Sequence, residues 1–323
     1  MKIRLFARFA LPVLLVAGFA GSPWAQTYPS RPVRLMVPYP PGGASDLHAR
    51  YLTAKITDLP QPIVVENRVG AGGNVAFDYV AKAAPDGYTL LWGAGSMTVA
   101  PALTAKLPFD VVNDYAPISL VVVVQNVLMV PANSPSKNVT DVIAAAKAQP
   151  GKLNYASAGA GGIPHLTMEL FKSMTGTDIA HIPYKGDSPA LVDLIAGRID
   201  LYFATIAGGI QHIKSGKVRA LGVSAKKRAA ALPEVPTLDE AGVPGYEVVS
   251  WFGILAPAGT PREIVNLIHG HIVKAVAQPD LREKYVGLGS EPTTNTPQEF
   301  QALIRESVTK FAQIAKGAGI KPE

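Results

Sequence analysis

The chain has 323 residues, of which 48% are hydrophobic and 17% charged, with 30 Lys and Arg against 24 acids and no cysteine. This is the composition of a globular chain with apolar material for two modest cores, and it argues against disorder. The positive charge is mild and scattered, with Lys226-Lys227-Arg228 as its densest stretch, so nucleic acid is not implied as a partner. The lack of cysteine removes disulfides, thiol catalysis and thiolate metal sites.

At the N-terminus Lys2, Arg4 and Arg8 precede an apolar run from Phe9 to Phe19, and small residues follow up to Ala25. That order reads as a signal peptide over residues 1–25, and the run is too short to span a bilayer comfortably. Cleavage after Ala25 takes three cations from the 30, leaving 27 against 24 acids, a balance of about +3.

Beyond it the chain alternates strand, glycine turn and helix. Val33–Val37 reads as a strand buried on both faces, stopped by Pro40, Pro41, Gly42 and Gly43, with Ser45 as the expected N-cap of a helix and Asp46 in its first turn. The run Ile63–Glu66 leads through Gly70–Asn74 into a helix, and Tyr88–Trp92 leads into Gly93–Ser96. Such a succession predicts a parallel sheet with helices on its faces and its turns at the carboxyl ends of the strands. The run from Ile118 to Val130 is too long for one ordinary strand, so a crossing into a second sheet is expected near Gln125 and Asn126. The rhythm restarts with a helix over Thr140–Ala148, a strand Leu153–Ser157, a glycine turn Ala158–Gly162 and a helix Leu166–Met174. It continues with Ile179–Pro183, a helix with Ser188 as N-cap, Ile199–Ala204 and Val218–Ser224. Ala225–Tyr246 reads as a connection back to the first domain, followed by a strand Val248–Ala256. Thr260-Pro261-Arg262-Glu263 and Thr296-Pro297-Gln298-Glu299 both read as capping boxes. Phe300, Leu303, Ile304, Val308, Phe311 and Ile314 give the last helix one buried face. The expected architecture is therefore α/β, with domain 1 discontinuous over 26–125 and 225–323 and domain 2 over 126–224.

The glycine turns invite a nucleotide reading, but Val75, Thr98 and Pro164 stand where the third glycine of a dinucleotide motif belongs, and no Gly-Lys-Ser/Thr loop occurs. A nucleophile elbow is incomplete around both Ser157 and Ser224. His269 and His271 are two apart on a helix, unlike a zincin pair. What remains is a binding design: two glycine turns, Pro40–Ser45 and Ser157–Gly162, offer backbone amides and small hydroxyls (Ser45, Ser157 and Thr167) suited to a carboxylate. An exported esterase using Ser157 with His165, and a receptor presenting its ligand to a membrane kinase, stay open as alternatives. No cofactor or metal is expected.

The stretches YPSRPVRLMVPYPPGGASD, VVENRVGAGGNVA, AAPDGYTLL, NYASAGAGGIPHL, HIPYKGDSPALVDLIAGRIDLYFA and GVPGYEVVSWFGILAPAGTP together resemble the periplasmic substrate-binding proteins of tripartite tricarboxylate transporters, the Bug family. The resemblance implies a two-domain periplasmic-binding-protein type II fold with a central ligand cleft. A monomeric periplasmic receptor of this kind closes on a small organic acid and hands it to membrane permease subunits. In that family two loops pinch one carboxylate through amides and ordered water. Carried over, the first loop is Tyr39, Pro40, Gly42, Gly43, Ser45 and Asp46, and the second is Ser157, Ala158, Gly159 and His165. Tyr39 is expected over the ligand, and Tyr184, Lys185, Gly186, Thr205 and Trp251 at the far end of the pocket. Many relatives carry alanine where this chain has Pro41, which donates no amide.

Overall fold

The structure is a computed structural model that describes residues 28–157, 159, 163–317, 319 and 322. The expected signal segment 1–25 and Ala158 lie outside the described residues. Among the described residues no helix is long and apolar enough to cross a membrane.

The first sheet has the order β2 (Ile63–Asn67), β1 (Val33–Val37), β3 (Thr89–Ala94), β9 (Val249–Pro257) and β4 (Tyr115–Pro131). Its first three strands are parallel and β9 is antiparallel to both neighbours, while β10 (Ser290–Pro292) pairs with β4. The second sheet joins the last part of β4 to β7 (Leu201–Thr205), β5 (Asn154–Ser157) and β6 (Ala180–Pro183) on one side and to β8 (Val218–Val223) on the other. The 17-residue β4 belongs to both: Gln125 pairs with Val249 of the first sheet, and the next residue, Asn126, with Thr205 of the second.

Period-two alternation sends successive side chains to opposite faces, and since both faces are covered both sets are apolar. In the first lobe Leu35, Trp92 and Ile254 pack under α1 (Ala44–Thr53), α8 (Arg262–Val276) and α9 (Pro279–Gly287). Their neighbours Met36, Leu91 and Leu255 face α2 (Asn74–Ala81) and the start of α10 (Pro297–Gly317). In the second lobe Leu128, Tyr155 and Phe203 meet α4 (Val139–Ala148) and α5 (Ile163–Thr175), and Val127, Ala156 and Tyr202 meet α6 (Asp187–Ile195) and α7 (Ile206–Lys214). Two helices bridge the lobes. α3 (Ser96–Leu103) places Met97 in the first lobe and Val99 and Leu103 in the second; α10 places Phe300 and Ile304 in the first and Phe311 and Ala315 in the second.

Ser224 staples the crossing. Its hydroxyl accepts from the Asn126 amide at 3.0 Å and donates to the Val248 carbonyl at 2.5 Å, and its own amide donates to the Asn126 carbonyl at 2.8 Å. The expected return to the first domain at Ala225 is displaced. Leu232 and Val235 pack in one core of the second lobe, and Leu238, Val243 and Tyr246 in its other core. Five apolar side chains spread over an irregular stretch found a nearer core than the one that composition suggested, and the first sheet resumes only at Val249.

The helix starts separate two capping devices that look alike in sequence. At α10 the box closes: Glu299 Oε2 accepts from the Thr296 amide at 2.8 Å, and the Glu299 amide donates back to Thr296 Oγ1 at 3.2 Å. At α8 it does not, because Thr260 Oγ1 donates backwards to the Pro257 carbonyl at 2.8 Å and Pro261 occupies the N-cap. Gly186 rather than Ser188 caps α6, and Gly43 rather than Ser45 caps α1. Met174, near the end of α5, is exposed. Thr296→Ala is expected to cost about 0.5–2 kcal/mol in urea unfolding, and Thr260→Val well under the same amount, since only the first removes a cap.

Candidate functional site: the cleft between the lobes

The strand ends decide what faces the space between the lobes. The loops after β1, β2 and β3 in one lobe and after β5, β6 and β7 in the other open into one cavity of about 430 Å³, a volume suited to a small ligand. From the first lobe it is lined by Tyr39, Pro40, Pro41, Gly42, Gly43, Ala44, Ser45, Gly72 and Ser96, and from the second by Gly159, Lys185, Asp187 and Thr205. The crossing strands supply Asn126, Ser250 and Phe252.

The first loop holds its shape through Asp46, which is buried and does not line the cavity. Its Oδ2 accepts from the Gly42 amide at 2.9 Å and from Arg50 Nε at 2.8 Å. Its Oδ1 accepts from Asn67 Nδ2 at 2.8 Å, and the same Asn67 nitrogen donates to the Tyr39 carbonyl at 2.9 Å. Burial pushes the Asp46 carboxyl up, but Arg50, the Gly42 amide and Asn67 together outweigh it and hold it below the ordinary carboxylate range. A depressed pKa contributes stability that is complete above the unfolded value near 4 and lost as pH falls through the folded value. The difference in melting temperature between the native chain and Asp46→Asn is therefore expected to be constant from pH 7 to about 5 and to close below about pH 4.

Pro41 has no amide hydrogen and the Gly42 amide is taken by Asp46, so the loop's free donors come later. Gly43 gives only a long 3.5 Å bond to the Pro40 carbonyl; Ala44 and Ser45 follow as the first residues of α1, where amides have no intrahelical acceptor. Ser45 Oγ is buried with no hydrogen-bond partner among the described residues. Tyr39 lies beside these groups with its hydroxyl 2.6 Å from Ser96 Oγ; burial, partly offset by Ser96, pushes that hydroxyl up to about 12.

In the second lobe Gly159 lines the cavity at φ +141°, where a Cβ would stand 3.7 Å from the Tyr184 carbonyl. Ser157 does not line it. It is fully buried, with its Oγ 2.7 Å from His181 Nε2 and donating to the Gly159 carbonyl at 3.0 Å. His165 also stands back from the cavity, stacked on the His181 ring at 4.1 Å, and Tyr155 stacks on the same His181 ring at 4.7 Å. Burial, then the neighbouring His165, lowers His181 to about 4, so this stack supports the loop with a neutral imidazole near neutral pH. Ser157 is thus a buried loop tie bonded to His181 and not a presented nucleophile, which removes the esterase reading. Thr205 lines the cavity and caps α7 through a 3.1 Å bond from the Gly208 amide. Thr167 donates to the Ile163 carbonyl, Trp251 packs against Phe300, and Tyr184 donates to Asp193; none of the three lines the cavity.

A wider groove of about 940 Å³ runs over the outer side of the first lobe, among Arg31, Arg34, Arg68, Asp78, Tyr79 and Lys82. It is more open, and most of these charges are engaged locally: Arg31 with Asp86, Lys82 with Asp78, and Arg34 with Tyr79 and Thr89.

A small cavity at the carboxyl strand ends of two lobes, furnished with amides and hydroxyls, is the arrangement of a solute-binding receptor. Residues 49–320 match the family described as tripartite tricarboxylate transporter family receptor, and the chain belongs to that family. It is 37% identical to Protein BugT of Bordetella pertussis over 95% of each chain. Among solved structures, R. palustris Rpa4515 with adipate is 36% identical, with a TM-score of 0.88 over 92% of this chain and 100% of that one. The periplasmic binding protein BugD is 34% identical, with a TM-score of 0.86 over 92% and 100%. MatC from Rhodopseudomonas palustris with bound malate is 32% identical, with a TM-score of 0.83 over 89% and 99%. The two-lobed α/β fold expected from the sequence is the fold of these proteins. The family match begins at residue 49, so the first loop lies outside it.

Proposed function

We propose that the chain is exported by its first 25 residues and works in the periplasm as a monomeric receptor. It captures a small carboxylate in the cleft and passes it to the permease subunits of a tripartite transporter. The observation that carries this reading is a pair of elements on one cavity: the start of α1, whose Ser45 hydroxyl has no hydrogen-bond partner among the described residues, and Gly159 from the other lobe. A helix start with free amides favours an anion, and glycine lets it approach the main chain. Two of the structural relatives, one with adipate and one with malate, hold carboxylates, which supports the same chemistry here.

In this reading the two lobes move as units about the crossing at Gln125-Asn126 and Ser224–Val248, with Gly43, Ala44 and Ser45 on one jaw and Gly159 on the other. Tyr39 and Thr205 shape the walls. Asp46, Ser157 and His165 act from behind, by holding the loops.

A thermal-shift screen of C4–C6 dicarboxylates, hydroxy acids and amino acids tests the reading. At a hundredfold excess over Kd the right acid adds about 2.7 kcal/mol to the folded state, roughly 4 °C in Tm for a chain of this size. If no organic acid raises Tm at millimolar concentration, the carboxylate assignment falls.

A further inference from the structure

One corner of the cleft is furnished for something other than a carboxylate. Asn126 is fully buried at the point where β4 leaves one sheet for the other. It lines the cavity, and neither Oδ1 nor Nδ2 of its side chain has a hydrogen-bond partner among the described residues. Its backbone is fixed by Ser224 and its register partner is Thr205, so the side chain has little freedom to turn elsewhere. A buried amide with both ends unpaired is costly unless a ligand supplies the partners.

Asp187 stands at the same corner. A Cβ placed on Gly208 would lie 3.2 Å from Thr205 Oγ1 and 3.9 Å from Asp187 Oδ2, which sets these two oxygens around one point beside the register partner of Asn126. Tyr202, buried beneath, donates to Asp187 Oδ1, and Asp187 itself lines the cavity with Oδ2 as its other acceptor. Burial raises the Asp187 carboxyl and the Tyr202 hydroxyl opposes that rise. Among the described lining residues the charged side chains are Asp187 and Lys185 alone, and Lys185 is exposed at the rim. In its ionised form Asp187 repels a plain diacid, and a ligand that brings a donor to meet it removes that penalty.

We propose that Asn126 and Asp187 read a hydrogen-bond donor on the ligand's carbon chain, so that the ligand is a hydroxy- or amino-substituted carboxylate rather than an unsubstituted one. This rests on the receptor reading above. One carboxylate goes to the α1 amides and Gly159; the donor points to Asp187 Oδ2 and Asn126 Oδ1; Asn126 Nδ2 donates to a ligand oxygen. The pair adds what the backbone loops lack, a means of telling one acid from another.

Calorimetry with two matched sets tests it: succinate, L-malate and L-aspartate, and adipate, 2-hydroxyadipate and 2-aminoadipate. In the native chain the donor-bearing members of one set are expected to bind roughly 10- to 100-fold more tightly than the unsubstituted acid. Whether the hydroxy or the amino member leads identifies the donor. Asp187→Asn is expected to weaken the donor-bearing acid and strengthen the unsubstituted one, bringing the ratio within about threefold, a crossing that general loosening of the pocket does not produce. Asn126→Ala is expected to weaken the donor-bearing acid more than the unsubstituted one. If succinate or adipate binds the native chain as tightly as its substituted partners, this inference is overturned while the receptor reading stands. If none of the six binds while another acid of the thermal-shift screen does, this inference is overturned and the receptor reading stands.

Discussion

Replacing Gly43 by valine is expected to weaken carboxylate binding at least about 100-fold, a loss of about 2.7 kcal/mol, while the unliganded protein keeps its fold. Gly43 has φ −76° and ψ 168°, a conformation open to any residue, and a Cβ there meets only the Pro40 carbonyl at 3.5 Å. The cost to the helix start is that of a poor N-cap, about 1 kcal/mol or less. Gly43 nevertheless lines the cavity next to the Ala44 and Ser45 amides, and a valine side chain there is expected to take space the ligand needs. Gly42 is the less informative position, because its φ of +79° would strain the backbone under any substitution and mix folding with binding. Calorimetry and a melting curve on the same preparation separate the two effects. Retained affinity would move the site away from this loop.

Phe300→Ala is expected to cost about 3–5 kcal/mol, seen as a lower urea midpoint with an unchanged slope. The ring is fully buried in the first lobe, edge-on to Trp251 at 5.1 Å, and it fills the space over Gly253 of β9. The absence of a side chain at Gly253 is the other half of the same contact. A Cβ there would collide with the ring and would stand 2.8 Å from the Ser119 carbonyl, so Gly253→Ala is expected to cost about 1–3 kcal/mol by itself. Combining the two should cost less than their sum by about 0.5–3 kcal/mol, since removing the ring relieves the collision. Strict additivity would mean that Phe300 and Gly253 do not share a packing site.

The parts of this fold that could be read from the chain were those with local causes. Val33–Val37 and Tyr88–Trp92 are apolar runs stopped by glycine or proline, and their pairing follows from the short βα rhythm. The last helix wrote its buried face in spacings of three and four; what the spacing did not say is that Phe300 and Phe311 enter different cores. The two Thr-Pro-x-Glu starts were locally identical, and only the fold distinguishes Thr296, free to cap, from Thr260, already bonded to Pro257.

The cleft shows the same division. Tyr39, Pro40, Gly42, Gly43, Ser45, Gly159 and Thr205 stand on the cavity because they follow strand ends, and that position is visible in sequence. Asp46, Ser157 and His165 sit next to such ends but turn inward, because Asn67 and His181, each more than fifteen residues away in sequence, and Arg50, one helical turn on, complete their contacts. Asn126 was legible only as a point on a long strand. Its place in the cavity depends on β7 and on Ser224, which are brought to it by about eighty to a hundred intervening residues, and no local pattern announces that.

In the proposed function the two lobes close on a carboxylate held by the start of α1. Crystallising the protein with the acid that most raises its Tm tests this most directly. One carboxylate of the ligand is expected within hydrogen-bond distance of the Ala44 and Ser45 amides, with Gly159 against it from the other lobe. A ligand in the outer groove beside Arg68 and Tyr79, or in the cleft with its carboxylate turned away from α1, would contradict it.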